Sequence, residues 1–139
     1  MELLDKLLGN KLNKTENNAQ TFADWIDGVL ENIDLSGVIA VNFNLYEASD
    51  NSHHIELIGS DEYDPKNSDW ACNEIFTTRD NLFITNEKAG QPWEAALKHF
   101  KSLATEYLEN GRYRQKILSL RAVGIGFVNG DLEVLHESN

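Results

Sequence analysis

The feature that most constrains the fold is a long amphipathic stretch, PWEAALKHFKSLATEYLENG, in the second half of the chain. Its apolar residues recur at helical spacing over about four turns. They are Trp93, Ala96, Leu97, Phe100, Leu103, Ala104, Tyr107 and Leu108. Pro92 suits the first helical position, and Asn110-Gly111 suits the end of a helix. The stretch predicts one long helix with a single apolar face that needs a covering partner.

A second amphipathic helix is predicted within NAQTFADWIDGVLENI. One face carries Phe22, Trp25, Ile26, Val29, Leu30 and Ile33 at helical spacing. Thr21 and Asp24 are spaced as in a capping box, although Asn17 or Asn18 could begin the helix one turn earlier. The chain therefore offers two long helical faces to a core.

Alternation with a period of two predicts the strands. GVIAVNFNLYE alternates along its length, and HHIELIG follows it after a turn at ASDNS, which favours an antiparallel hairpin. DWACNEIFTT and NLFIT predict two more short strands. RAVGIGFVNGDLEVLH predicts a last hairpin, with Asn129-Gly130 as a type I′ turn.

The order of these elements predicts the fold class. Runs of adjacent strands between two long helices favour an α+β fold, with an antiparallel sheet of about five to six strands packed against both helices. A length of 139 residues and the lack of a repeat favour one domain over 1–139. Residues 1–16 are expected to form a loosely packed N-terminal segment.

Charge restricts the partners that the chain can bind. The net charge is −11, and residues 34–81 hold ten acidic residues against two basic ones. Such a surface repels nucleic acid and anionic lipid and attracts basic proteins.

The expected location follows from three other features. We find no apolar run near the roughly 20 residues of a membrane span and no good signal peptide. One cysteine cannot form an internal disulfide, which fits a reducing compartment. A cytoplasmic protein is expected.

Candidate sites for chemistry are weak. Strand neighbours point to opposite faces, so His53 and His54 are not expected to share a metal and are interpreted as exposed strand residues. Cys72 lies between Asp69 and Glu74, which disfavour a thiolate, so we expect a buried structural cysteine. The acidic stretch lacks the central glycine of a calcium loop. No catalytic residue, cofactor or metal is predicted.

Two glycines resemble part of a nucleotide-binding fingerprint but do not complete one. Gly124 and Gly126 in VGIGFV precede a strand turn and do not open a helix. We expect these small residues to let a helix side chain, such as a tryptophan, approach the sheet closely.

The stretch GSDEYDPKNSDWACNE is the strongest functional signal. Aromatic residues among carboxylates are typical of a protein-binding surface directed at lysine and arginine. The predicted contacts, including one residue just upstream of the stretch, are Glu56, Asp61, Glu62, Asp64, Asp69, Trp70 and Glu74. The alternative is that Trp70 belongs to the core and that the acids are its solvated neighbours.

The run VNFNLYE, IELIGSDEYD, SDWACNEIFTTR and GIGFVNGDLEVL resembles small acidic bacterial proteins of the immunity type, the partners of secreted polymorphic toxins. This general resemblance covers residues 37–136 and transfers no binding residue position by position. It implies a cytoplasmic protein that neutralises a cognate basic toxin domain, with a nuclease as the expected class, and has no catalysis of its own. The alternatives are a small cytosolic enzyme and a regulatory domain that binds a basic peptide at the sheet edge.

Overall fold

The computed structural model describes residues 21–47, 52–85 and 93–138. The helices are α1 (Phe22–Asn32), α2 (Trp93–Asn110) and α3 (Arg114–Leu118), and a short 3-10 helix spans Ser68–Cys72. The strands are β1 (Ala40–Glu47), β2 (His53–Ser60), β3 (Glu74–Thr77), β4 (Phe83–Thr85), β5 (Ala122–Phe127) and β6 (Glu133–Glu137). The predictions for residues 1–16, for most of the ASDNS turn and for Pro92 lie outside the described residues.

Both long helices form where the apolar periodicity predicts them. The side chain of Thr21 caps α1 by accepting a hydrogen bond from the backbone N–H of Asp24 at 3.0 Å. The Tyr107 hydroxyl of α2 donates to Asp27 Oδ1 of α1 at 2.7 Å and accepts from the N–H of Tyr113 at 3.1 Å. These bonds join the two helices to the link that follows α2.

The α+β class is confirmed, but the sheet is mixed and not purely antiparallel. Its strand order is β3-β2-β1-β5-β6. β4 also pairs with β2, at residues 53–55, whereas β3 pairs with residues 58–60. The exception to antiparallel pairing is β5, which lies parallel to β1 with Ala40 opposite Ala122. The chain reaches β5 from β4 through α2 and α3, and this helical crossover is the usual connection to a parallel neighbour.

One face of the sheet is covered by the helices and forms the main core. Val41, Phe43 and Leu45 of β1 lie on this face, with Ile55 and Leu57 of β2 paired opposite them. Phe22, Trp25, Ile26 and Leu30 of α1 and Phe100 of α2 pack onto it. The two apolar helix faces and the alternating strands therefore meet in one cluster.

Two local predictions are wrong. DWACNEIFTT is not one strand, because its first part forms the 3-10 helix and β3 begins at Glu74. Asn67 accepts a hydrogen bond from the N–H of Asp69 at 2.9 Å, and this cap favours the helical turn. The last hairpin is present, but Asn129-Gly130 is not a type I′ turn, since among the described glycines only Gly37 has a positive φ, +80°.

Candidate partner-binding surface

The candidate site is the face of the sheet opposite the helices, which we call the polar face. Because side chains alternate along β1, Ala40, Asn42 and Asn44 point to this face. Glu56 and Ser60 of β2 lie on it as well, opposite Asn44 and Ala40. The polar face is not open to solvent, since all five of these residues are buried.

The acidic segment, Asp61–Glu74, crosses one end of the polar face and is anchored there by Trp70. The Trp70 side chain is 2% exposed and packs on Ala40 and Ala122, with the Tyr63 ring against it at a centroid distance of 5.3 Å. Trp70 therefore belongs to a small second core and does not present its ring to a partner. The two alanines, paired in register on β1 and β5, make the room for it.

Hydrogen bonds fix the shape of the acidic segment. The Ser60 hydroxyl donates to the carbonyl of Trp70 at 2.8 Å and accepts from the N–H of Glu62 at 3.2 Å. Asp64 Oδ1 accepts from the N–H of Lys66 at 2.8 Å, which closes a turn. The segment is thus tied to Ser60 at Glu62 and at Trp70, and a local turn shapes the backbone between these two points.

Five carboxylates of the acidic segment are on exposed residues: Asp61, Glu62, Asp64, Asp69 and Glu74. Asn73 Nδ2 donates to the carboxylates of Asp61 and of Glu62, the latter at 3.3 Å, and so holds these two like charges together. The Tyr63 hydroxyl donates to Glu137 Oε2 of β6 at 2.5 Å, which brings a sixth exposed carboxylate to the same surface. Asp61 and Glu62 therefore lie together, and Glu137 of β6 lies against the same segment through Tyr63.

Glu56 was predicted as a contact, but it is fully buried beneath this surface. Arg79 Nη2 lies 3.1 Å from its Oε1 and donates to its Oε2 at 3.3 Å. The same nitrogen donates to both carboxylate oxygens of Glu74, at 2.9 and 3.0 Å. Burial raises the pKa of Glu56, and the hydrogen bonds from Arg79 and Asn44 oppose that shift.

The acidic segment and the described residues around it keep a negative charge after their cations are counted. Six exposed carboxylates and the buried one of Glu56 face three cations, Lys66, Arg79 and Arg121. Arg121 lies over the Tyr63 ring, with its guanidinium carbon 5.6 Å from the ring centroid. Arg79 is shared between Glu56 and Glu74, so it cannot neutralise both of them.

A cleft of about 510 Å³ opens beside the acidic segment. Asn42, Asn44 and Gly126 of the sheet line its floor. The 3-10 helix and β3 form one wall through Ser68, Asp69, Ala71, Cys72 and Glu74, and Tyr46, Phe127, Val128, Gly130 and Leu132 line the other side. The cleft therefore joins carboxylates on one wall to apolar and aromatic groups on the other.

A hydrogen-bonded chain runs from the floor of the cleft to its acidic wall. Asn42 Nδ2 donates to Asn44 Oδ1 at 2.6 Å, and Asn44 Nδ2 donates to Glu56 Oε2 at 3.5 Å. Arg79 then links Glu56 to Glu74. The buried Glu56 therefore positions groups that line the cleft, although it does not line the cleft itself.

Two sequence-based interpretations of side chains are wrong here. Cys72 is exposed on the wall of the cleft and is not a buried structural cysteine. His53 is buried at 3% exposure, with its ring against Phe100 at a centroid distance of 5.6 Å.

Among the described residues, we find no group of three or more His, Cys, Asp or Glu that could hold a metal ion.

Gly124 and Gly126 do not admit a tryptophan. A Cβ on Gly124 would lie 2.5 Å from Asn42 Oδ1 and 2.9 Å from Leu132 Cδ2. A Cβ on Gly126 would lie 2.6 Å from the carbonyl oxygen of Asp131. The glycines instead let the cleft floor and the segment before β6 approach β5.

Sequence reasoning missed Asn42 and Asn44, which line the cleft. The available signal was a pair of amides at alternate positions inside an apolar strand, where polar groups need partners. Trp93 was predicted on the covered apolar face of α2, but it is 51% exposed and lines a neighbouring cavity of about 580 Å³ with Tyr46, Phe127 and Val128.

Comparisons with known proteins give no relative. No protein-family model matches the chain, and neither the curated proteins nor the solved structures include a match. Within the described residues, no helix has the length and apolar character needed to cross a membrane.

Proposed function

We propose that this protein is a binding protein of the immunity type, which neutralises a cognate basic toxin domain by covering it with the acidic segment. The observation that carries the proposal is the set of five carboxylates on exposed residues within Asp61–Glu74, held on an anchored backbone. Glu74 is paired with Arg79 from outside the segment, and Lys66 is the one cation within it. A nuclease is the expected class of toxin, because its active site uses cationic groups to bind the phosphates of its substrate. The carboxylates of the acidic segment can take the positions of those phosphates.

The anchored backbone supports this function. Trp70 and Ser60 fix the segment before any partner arrives, so binding need not order a flexible loop. Like charges concentrated in one exposed segment also raise the rate of encounter with a basic protein. Glu56 and Trp70 are buried, so they support the binding surface without touching the partner. The direct contacts are the other predicted residues, Asp61, Glu62, Asp64, Asp69 and Glu74.

The enzyme alternative finds less support in the same geometry. Cys72 is accessible, but no histidine or cation lines the cleft among the residues that the structure describes. A nucleophilic cysteine needs such a group to stabilise its thiolate. The measurement that separates the two functions is the alkylation rate of Cys72 at neutral pH. A catalytic nucleophile should react faster than a free cysteine, and we expect Cys72 to react no faster.

The test is neutralisation of a cognate toxin. The variable C-terminal domain of the secreted protein encoded beside this gene is expressed with and without the present chain. We expect growth to be protected by the natural chain and not by a variant in which Asp61, Glu62 and Asp64 are changed to lysine. Absence of such a neighbouring gene, or unprotected growth with the natural chain, contradicts the immunity role.

A matched control keeps the test specific. Glu31, Glu106 and Glu109 are exposed on α1 and α2, which cover the opposite face of the sheet. Changing these three to lysine alters the net charge by the same amount as the acidic-segment variant. The control variant is expected to protect as well as the natural chain. Equal loss of protection by both variants would show that net charge, and not the acidic segment, sustains binding.

A further inference from the structure

The cleft beside the acidic segment has more hydrogen-bond acceptors than donors. Asp69 and Glu74 contribute carboxylates, and no lysine or arginine lines the cleft among the described residues. The Asp69 carboxylate has no hydrogen bond or ion pair with any described residue, and Glu74 is engaged by Arg79 alone. The cleft therefore suits a group that donates several hydrogen bonds and carries positive charge.

A second observation at the floor of the cleft points to the same kind of group. Asn42 is 2% exposed, and its Oδ1 finds no hydrogen-bond donor among the described residues. An unpaired buried acceptor costs about 1 to 3 kcal/mol, so a native chain rarely keeps one without a use. The oxygen lies beside the bare backbone of Gly124, where a Cβ would come within 2.5 Å of it.

The opposite wall fits an apolar stem. Phe127, Val128 and Leu132 line it, together with the ring of Tyr46. Long cationic side chains bury their methylene groups on such surfaces, and aromatic rings favour a cation over their faces. Leu132 Cδ2 lies 2.9 Å from the same Gly124 Cβ position, so a ligand that reaches Asn42 Oδ1 requires the Leu132 side chain to turn aside.

From this arrangement we infer that the cleft receives one arginine side chain of the partner. The inference rests on the proposed function, because it names the group by which the basic partner is recognised. A guanidinium has five N–H donors and no acceptor, which matches carboxylates on one wall and an unpaired amide oxygen on the floor. A lysine ammonium is a compact point charge with three donors and matches this spread of acceptors less well.

The test needs no toxin. Three blocked tripeptides, with arginine, lysine or citrulline between two glycines, are titrated into the full chain, and the side-chain amide signals of Asn42 and Asn44 are followed by NMR. We expect saturable shifts of these signals with the arginine peptide, binding about fivefold weaker with the lysine peptide, and no saturation with neutral citrulline. Equal binding of the lysine peptide, or saturation by citrulline, overturns the inference.

Two variants locate the site. Asp69→Asn removes a cleft carboxylate and should weaken the arginine peptide about fivefold, while Glu106→Gln removes an exposed carboxylate of α2 on the other side of the sheet and should leave affinity within about twofold. The reverse order contradicts the assignment. Free arginine that binds at least about tenfold more tightly than the peptide would make this a small-molecule site and contradict a partner side chain.

The outcomes separate this inference from the proposed function. If the arginine peptide does not bind, yet the toxin domain is neutralised by the natural chain and not by the acidic-segment variant, only the cleft assignment is lost. If the peptide binds as expected but no toxin domain is neutralised, the immunity role is lost and the arginine site stands.

Discussion

The two faces of the sheet are buried by different means. On the face under the helices, apolar side chains from four strands pack against two long helices, and their burial accounts for this face as a hydrophobic core. The polar face is covered at one end by Trp70 on two alanines, and elsewhere it buries Asn42, Asn44 and Glu56 in a hydrogen-bonded chain. The first arrangement provides stability, while the second accepts a cost in burying polar groups.

The polar face is the less economical of the two as a source of stability. A buried carboxylate that shares one half-exposed arginine with a surface carboxylate is a poor way to stabilise a sheet, because burial of a charge opposes its attraction to the partner. Apolar residues at these positions would serve stability as well or better. We interpret the polar chain as the support of a binding surface.

The largest expected loss of stability comes from removing one buried aromatic side chain on each face of the sheet. Phe43→Ala in the helix-covered core and Trp70→Ala under the acidic segment should each lower the free energy of unfolding by about 3 to 5 kcal/mol, measured by urea denaturation. Only the tryptophan variant is expected to lose toxin binding under conditions where it remains folded. A loss below about 1 kcal/mol for Trp70→Ala would mean that the acidic segment is not anchored by this side chain.

A smaller effect comes from two glycine substitutions of opposite sign. Gly124→Ala brings a Cβ within 2.5 Å of Asn42 Oδ1 and should destabilise the chain by about 1 to 3 kcal/mol. Gly28→Ala lies in α1 with nothing within 4 Å of its Cβ, and should stabilise by about 0.5 to 1 kcal/mol. Both are read as shifts in the urea midpoint. A neutral Gly124→Ala would show that the cleft floor is loosely packed.

The smallest expected effect is a pH dependence carried by Glu56. Since the folded-state pKa of Glu56 is raised above the unfolded value, the native state holds this proton more tightly. Its contribution to stability is therefore present below the unfolded pKa of about 4.5 and is lost as pH rises through the raised pKa. Glu56→Gln should become more stable relative to the natural chain over that rise, by about 1.4 kcal/mol for each unit of pKa difference.

Arg79→Ala sharpens this measurement. Removing the guanidinium takes away the hydrogen bonds and the charge that oppose the raised pKa of Glu56. The free energy of unfolding should therefore fall by a larger amount as pH rises. Denaturation curves of the natural chain, Glu56→Gln and Arg79→Ala between pH 4 and pH 8 provide the comparison. A stability difference between the natural chain and Glu56→Gln that does not change with pH would contradict a raised pKa.

Local periodicity predicted most of the elements. The α1 and α2 faces and the alternation in β1 and β2 follow from residues close in sequence, such as Phe22 to Leu30 and Val41 to Leu45. The parallel pairing of β1 with β5 could not be predicted this way, because it depends on how α2 and α3 return the chain across some 80 residues.

The site was predicted less completely, and for a related reason. The charge pattern located the acidic segment, but the burial of Trp70 depends on Ala40 and Ala122, which meet only once the strands are paired. Glu56 lies on the polar side of an alternating strand, and its burial depends on what covers that side. Alternation separates the two faces of a strand, but it does not show whether both of them are covered.

The most direct test of the account is the affinity of the cognate toxin domain for two triple variants, measured by calorimetry at low and at physiological salt. Lysine at Asp61, Glu62 and Asp64 should weaken binding roughly tenfold or more, whereas lysine at Glu31, Glu106 and Glu109 should change it by less than about twofold. An acidic-segment variant that binds within about twofold of the natural chain, while still folded, would contradict a docking role for this surface.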